Sequence, residues 1–231
     1  MSFGAPHRHY RTCDSTNTRA RELAAAGAPG GTVVTAEEQT AGRGRQGRAW
    51  VAPSGKALLY SAILRPFDDR HFLLSLAAGL AVCESAEALA PGVECRIKWP
   101  NDVWVDERKL AGILIETRAQ ERWAVIGIGL NLTIEPHEFP PELRQTATSL
   151  GGFTAEQARD ALDEQLSRWI YEQPERVLAA WRQRDALRGR EVSWENGSGV
   201  AGGVDDRGCL VVVAPGGSRT VLSAGEVHLR L

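Results

Sequence analysis

Lysine is scarce in this chain of 231 residues: of its 27 basic residues, only Lys56, Lys98 and Lys109 are lysines. Generic positive charge is written as arginine, so a lysine that is kept hints at a position needing a compact ammonium on a flexible stem. Cysteine is sparse too. Cys13, Cys83, Cys95 and Cys209 show neither CxxC spacing nor the density of a disulfide scaffold, and read as reduced thiols of a cytoplasmic protein. Cys13 borders a motif described below, but no activating neighbour is evident that would make it a nucleophile. No apolar run is long enough to span a bilayer; the longest, around residues 72–82, reads as a buried helix. Residues 1–10 lack the apolar core of an export signal. Neither charge sign is in surplus, with a net charge of −2. Nothing therefore draws the whole molecule to nucleic acid or membrane, and any anion site must be local.

What remains is an ordinary globular composition, enough for one large domain with a small companion. The DSTN run at 14–17 offers N-cap residues to an Ala-rich helix that stops at Gly27. Strands are expected at 32–38 and 57–64, separated by a polar, Gly-rich loop at 40–48. A helix is expected over 69–90, stopped by Pro91 and Gly92. Strands follow at 95–98, 103–105 and 109–116, the last two joined by a tight turn at 106–108. Another at 123–132 is expected to pair with the strand at 109–116. Thr154 and Gln157 form a capping box for a helix to about residue 172. Pro174 suits the first turn of a helix to about residue 187. Beyond it the chain turns Gly-rich, with short Val-rich strands that suggest a small barrel. The expected fold is α+β: a mixed-sheet domain over residues 1–187 and a small β-domain over 188–231.

Several segments carry candidate chemistry. The loop GRGRQGR (42–48) puts three arginines and three glycines on seven residues. That combination suits a flexible lid closing on phosphate or carboxylate oxygens, although a solvated surface loop would look the same. Trp50 stands where it could pack the lid or simply join the core. KWPND (98–102) delivers a lysine, an amide and a carboxylate where a proline turns the chain out of a sheet; plain backbone capping by Asn101 and Asp102 is the alternative. Lys109 opens a strand, and simple alternation puts it on the face of Ala111, a small neighbour leaving room for a ligand; an edge-strand lysine that blocks aggregation is the alternative. In the strand at 123–132, Val125, Gly127, Gly129 and Asn131 share one face, while Ile126, Ile128, Leu130 and Leu132 share the core face. Two glycines on one face mark the close approach of a ligand or of another backbone; close packing of a helix is the alternative. Ser15, Thr16 and Asn17 stand at a helix N-terminus, where they would cap the helix or bind a carbonyl or anion.

Together these segments resemble the biotin–protein ligase family. DSTN (14–17), EEQTAGRGRQGRAW (37–50), KWPNDV (98–103), KLAGILIE (109–116) and GIGLNL (127–132) stand in the family's order and spacing, and the similarity runs to a C-terminal GEVHLR (225–230). The resemblance implies a catalytic core like those of lipoate ligases and class II aminoacyl-tRNA synthetases, followed by an SH3-like β-barrel. It implies ATP-dependent activation of biotin to biotinyl-5′-AMP, with Mg²⁺, and transfer to a lysine of the biotin carboxyl carrier domain of an acyl-CoA or pyruvate carboxylase. Ser15, Thr16, Asn17 and Gln39 would hold biotin, with Arg43, Gly44 and Arg45 as lid and Gly112 in the same pocket. Arg45, Arg48, Trp50, Asn101 and Asn131 would bind the nucleotide. Lys109 would bridge the biotin carboxylate and the α-phosphate, and Arg43 and Asp102 would complete the catalytic set, Asp102 serving phosphate, metal or acceptor. A ligand-promoted homodimer through a sheet edge is also implied. Repressor members of the family carry a winged helix-turn-helix ahead of DSTN; with 13 residues preceding that segment here, no DNA-binding role is expected. The rival readings are a lipoate or octanoate ligase or transferase on the same core and, more distantly, a non-enzymatic nucleic-acid-binding module.

Overall fold

The computed structural model describes residues 2–214, 216–223, 225 and 227–229. Among them the larger sheet has seven strands. These are β1 (His7–Cys13), β2 (Val33–Gln39), β3 (Ala57–Leu64), β4 (Arg96–Lys98), β5 (Asp102–Val105), β6 (Arg108–Arg118) and β7 (Trp123–Asn131), in the spatial order β1-β2-β3-β7-β6-β5-β4. β1 runs parallel to β2 and every other neighbouring pair is antiparallel, so the sheet is mixed as expected. β6 pairs β7 as the pattern predicted, and β3 takes β7's other edge.

The inner strand β3, ALLYSAIL, is buried along its whole length because both its faces are covered. One face meets α2 (Leu74–Leu89) and α3 (Ala155–Trp169), whose apolar side chains join Leu58, Tyr60, Ala62, Ile126, Ile128 and Leu130 in the main core. The other face meets α1 (Thr16–Ala25), where Ala20 and Ala24 pack on Val34, Ile63, Trp123 and Val125. That ten-residue helix covers only part of its face. Beyond its N-terminus lies a row of paired residues running across the sheet, Leu59, Gly129, Gly112, Asp102 and Lys98, and the functional cavity sits over them.

Several expectations need correction. β1 was not foreseen: its side chains HRHYRTC are mostly exposed, so it lacks the apolar alternation that betrays a strand, and backbone pairing to β2 alone defines it. The helix expected from residue 69 starts later. Asp68 caps a short 3₁₀ turn, Asp69–His71, and α2 begins at Leu74. The Thr154 capping box closes as predicted, Gln157 N donating to Thr154 Oγ1 at 3.2 Å. α4 (Pro174–Gln183) has Pro174 in its first turn but ends four residues short of the expected 187.

The remaining strands, β8 (Glu191–Trp194), β9 (Gly197–Val204), β10 (Leu210–Val213), β11 (Arg219–Leu222) and β12 (His228–Leu229), make an antiparallel sheet in the order β11-β10-β9-β8-β12. Its Val192, Ala201, Leu210 and Val212 share one contiguous core with Leu76, Ile97 and Trp99. The Trp99 indole donates to the Gly208 carbonyl at 3.0 Å, tying the KWPND turn to this sheet. Glu226 and Arg230 of the GEVHLR segment lie outside the described residues.

Candidate active site

The cavity over the glycine row encloses about 170 Å³. Of the residues singled out in the sequence, Ser15, Thr16, Asn17, Gln39, Arg43, Gly44, Arg45, Arg48, Trp50, Asn101, Asp102, Lys109 and Gly112 all line it. Segments nearly a hundred residues apart therefore meet because α1, the loop after β2, the β4–β5 turn and β6 all deliver side chains to one face. Asn131 does not join them. It is buried at the end of β7, where its Nδ2 donates to the Thr148 carbonyl at 2.9 Å.

Simple alternation also misplaces Lys109. Val103 pairs with Ala111 and Trp104 with Lys109, which leaves Leu110 as an extra residue in β6. The bulge shifts the facing by one residue. Ala111 turns into the core, and the small neighbour of the Lys109 amine is Gly112, where a Cβ would stand 3.2 Å from Nζ. Lys109 Nζ lies 2.8 Å from Asp102 Oδ1 and 5.6 Å from the centre of a Trp50 ring.

The lid loop leaves β2 and returns through an Arg43–Ala49 bridge, with Gly44 N donating to Arg48 O at 2.7 Å. Two of its arginines are anchored. Arg43 Nη1 reaches Glu116 Oε1 at 3.2 Å, and Arg45 Nη1 donates to Asn101 Oδ1 at 3.0 Å. Asn101 in turn donates to Ile113 O at 3.1 Å. Behind the lid, Trp50 lies flat on β7: a Cβ on Gly129 would overlap the indole, and one on Gly127 would overlap the Asn17 amide. The bare strand face is thus explained by two side chains pressed against it. The Trp50 Nε1 is buried with no hydrogen-bond partner.

At the opposite end, Ser15 takes the N-cap position of α1 with extended backbone, but its side chain makes no capping bond. Gln39 does that work, its Oε1 accepting from Thr16 N at 2.6 Å. Ser61 Oγ, fully buried on β3 and outside the cavity lining, lies 2.8 Å from Thr16 Oγ1 and 2.6 Å from Asn17 Oδ1.

Among the described lining residues, Arg43, Arg45, Arg48, Lys98 and Lys109 face a single carboxylate, Asp102. With that excess of positive charge the cavity is built for anions. Burial and the Asp14 carboxylate push the Cys13 thiol up, the wrong direction for a nucleophile. No group of three or more His, Cys, Asp or Glu among the described residues could hold a metal ion, and no helix there is long and apolar enough to cross a membrane.

Sequence reasoning missed Ser61, Glu116, Val227 and His228. Ser61 is, apart from the Tyr60 phenol on the opposite face, the one hydroxyl in an apolar strand, and Glu116 follows Gly112 and Leu114 in alternation along β6; both signals were available. Val227 and His228, at the start of β12, line the cavity, and no local pattern marks them.

Residues 9–132 match the model of the Biotin/lipoate A/B protein ligase family. The chain is 43% identical over 147 residues to the bifunctional ligase/repressor BirA of Bacillus subtilis, covering 62% of this chain and 45% of that protein; it thus spans about half the length of this relative. It is 39% identical over 236 residues to the biotin–[acetyl-CoA-carboxylase] ligase of Mycobacterium tuberculosis, covering 94% of this chain and 86% of that one. Among solved structures, the biotin protein ligase of Aquifex aeolicus in complex with biotin and ATP superposes with a TM-score of 0.82 at 27% identity, covering 98% of this chain and 99% of the other.

Proposed function

This chain belongs to the biotin/lipoate A/B protein ligase family, and from that footing we propose that it is a biotin–protein ligase, which activates biotin with ATP and passes it to a lysine of a carrier domain of an acyl-CoA or pyruvate carboxylase. The observation that carries this reading is the meeting of the arginine lid, Lys109 and the glycine-floored strand pair in one cavity.

The chemistry asks for such a cavity. A carboxylate attacks the α-phosphate poorly because both are negative, so the enzyme must neutralise them and hold them in line. Lys109, at the mouth of β6, would neutralise both partners. Ser15, Thr16, Asn17, Gln39 and Gly112 would hold biotin along the β6–β7 floor, beneath Arg43, Gly44 and Arg45. Arg45, Arg48, Trp50 and Asn101 would hold the nucleotide at the Lys109 end. Asn131 would reach it only by leaving Thr148, so its part is structural support of the strand end. The product, biotinyl-5′-AMP, is a mixed anhydride that water destroys, which gives the closing lid its purpose. An acceptor lysine has a pKa of about 10.4, so about one in a few thousand is neutral at pH 7; the positive cavity lowers that value, and Asp102 would take the proton.

The Mg²⁺ that accompanies ATP supplies charge neutralisation of the departing pyrophosphate; with Asp102 as the one carboxylate among the described lining residues, the phosphates would be its main ligands. Residues 1–187 form the catalytic unit in this reading, related to lipoate ligases and class II aminoacyl-tRNA synthetases, and 188–231 an SH3-like barrel. The exposed edge of β1 offers a surface for a ligand-promoted dimer. The free state of all four cysteines suits a reducing compartment such as the cytoplasm. No nucleic-acid role is part of the proposal.

Calorimetry with biotin and ATP, followed by mass analysis of what remains bound, tests it. A bound species with the mass of biotinyl-5′-AMP is expected. Activation of lipoate in preference to biotin would transfer the reading to a lipoate ligase.

A further inference from the structure

We propose that Glu116, which lies outside the cavity lining, is the positioning residue that sets the donor–acceptor polarity of the biotin-ring end of the pocket. The proposal rests on the biotin-ligase reading above.

The Glu116 side chain is 20% exposed, two residues before the end of β6. It meets Asn17 Nδ2 at 2.9 Å, Arg43 Nη1 at 3.2 Å and Arg21 Nη1 at 3.3 Å. All three groups are donors, and a carboxylate facing two guanidiniums can only accept. Asn17 must therefore turn its Nδ2 towards Glu116, an orientation the Leu114 carbonyl supports more weakly at 3.4 Å. Its Oδ1 then faces Ser61 Oγ at 2.6 Å. Oδ1 has no proton to give, so the Ser61 proton is committed to it.

The consequence reaches the cavity through Thr16. Its hydroxyl proton has acceptors on the protein side, Ser61 Oγ at 2.8 Å and Gln39 Oε1 at 3.0 Å. With the Ser61 proton already spoken for, the contact between the two hydroxyls is satisfied by the Thr16 proton. Whichever acceptor takes it, Thr16 Oγ1 meets a ligand with lone pairs. Gln39 is fixed the other way. Its Oε1 is held by the Thr16 backbone N–H at 2.6 Å, so Nε2 is the donor end of that amide. The pocket end thus pairs a hydroxyl acceptor with an amide donor, a match for a ring carrying N–H beside C=O, as a cyclic urea does. Without an acceptor at 116, Asn17 could turn over and give Nδ2 to Ser61, whose proton would then pass to Thr16 Oγ1 and leave the Thr16 proton free to turn towards the ligand, where it would confront the ring N–H.

The test is biotin-dependent ATP–pyrophosphate exchange by the full chain and the variants Glu116→Leu, Glu116→Gln and Ser61→Ala. The glutamine variant has one oxygen where Glu116 has two, but it can turn that oxygen to Asn17 while the partly exposed Arg21 and Arg43 swing towards solvent, so it should keep the order that the leucine variant loses. We expect Glu116→Leu to raise the KM for biotin at least about tenfold, with kcat and the KM for ATP within about threefold. Glu116→Gln should stay within about threefold on all three. Ser61→Ala, which adds no bulk, should reproduce the rise in biotin KM if Glu116→Leu prevents folding. Equal impairment by Glu116→Gln and Glu116→Leu would overturn the proposal in favour of a simple charge role, as would biotin and ATP constants that move together or an unchanged biotin KM. Wild-type exchange beside such results overturns the role of Glu116 alone; absence of exchange in the wild type overturns the biotin reading as well.

Discussion

The Lys109 ammonium stands 2.8 Å from the Asp102 carboxylate, on the floor row where Asp102 pairs with Gly112 and Gly112 with Gly129. The amine that would neutralise the reacting anions is thus already partnered by the carboxylate that would accept the acceptor lysine's proton. In the proposed reaction an incoming carboxylate or phosphate would compete for Lys109 and so release Asp102 for the second step.

That exchange of partners separates the two half-reactions. Asp102→Asn should leave adenylate formation within about tenfold of wild type, while transfer from preformed adenylate to a carrier domain falls about 10²–10³-fold, the usual contribution of a positioned base. Single-turnover measurement of each step checks this. Equal losses in both would mean that Asp102 acts only by orienting Lys109.

Gly129 is the seat of Trp50. A Cβ there would overlap the indole, so Gly129→Ala should displace Trp50 and weaken nucleotide binding at least about tenfold, with the sheet retained. Calorimetric titration with a non-hydrolysable ATP analogue and a circular dichroism spectrum read the two effects. Unaltered nucleotide affinity would remove Trp50 from the nucleotide site.

The large features of the site were legible because they are local. Gly127 and Gly129 show through alternation along one strand, and the 42–48 loop that lines the cavity shows through glycine and arginine density. What escaped depends on the neighbouring strand. The Leu110 bulge, visible only in the β5–β6 pairing, turned Lys109 from Ala111 to Gly112. Asn131 follows the alternation of β7 but sits past the floor, claimed by Thr148. Glu116, Ser61 and Asn17 meet across three elements, so no segment alone reveals their network. β1 escaped for a different reason: it buries too little apolar surface to leave a pattern.

Behind the floor, the fully buried Tyr60 donates its hydroxyl to Asp163 Oδ1 at 2.7 Å. Burial pushes the Asp163 carboxyl up to about 6, against the pull of the Tyr60 hydrogen bond and Arg159. The unfolded chain releases this proton near pH 4, so between about pH 4 and 6 the folded state binds more protons and rising pH removes stability. Asp163→Asn keeps an acceptor for Tyr60 without the charge. It should be more stable than wild type at pH 7.5, by on the order of 1–3 kcal/mol, with the difference fading below about pH 4. Thermal melts across that range test it; a pH-independent difference would place the cause elsewhere.

The central claim is that Lys109 joins the acid to the nucleotide, and biotin-dependent ATP–pyrophosphate exchange by Lys109→Ala tests it most directly. Loss of a preorganised cation of this kind costs about 10²–10³ in rate, so the account predicts exchange at least that far below wild type in a variant with an unchanged melting profile. Exchange at the wild-type rate would contradict it.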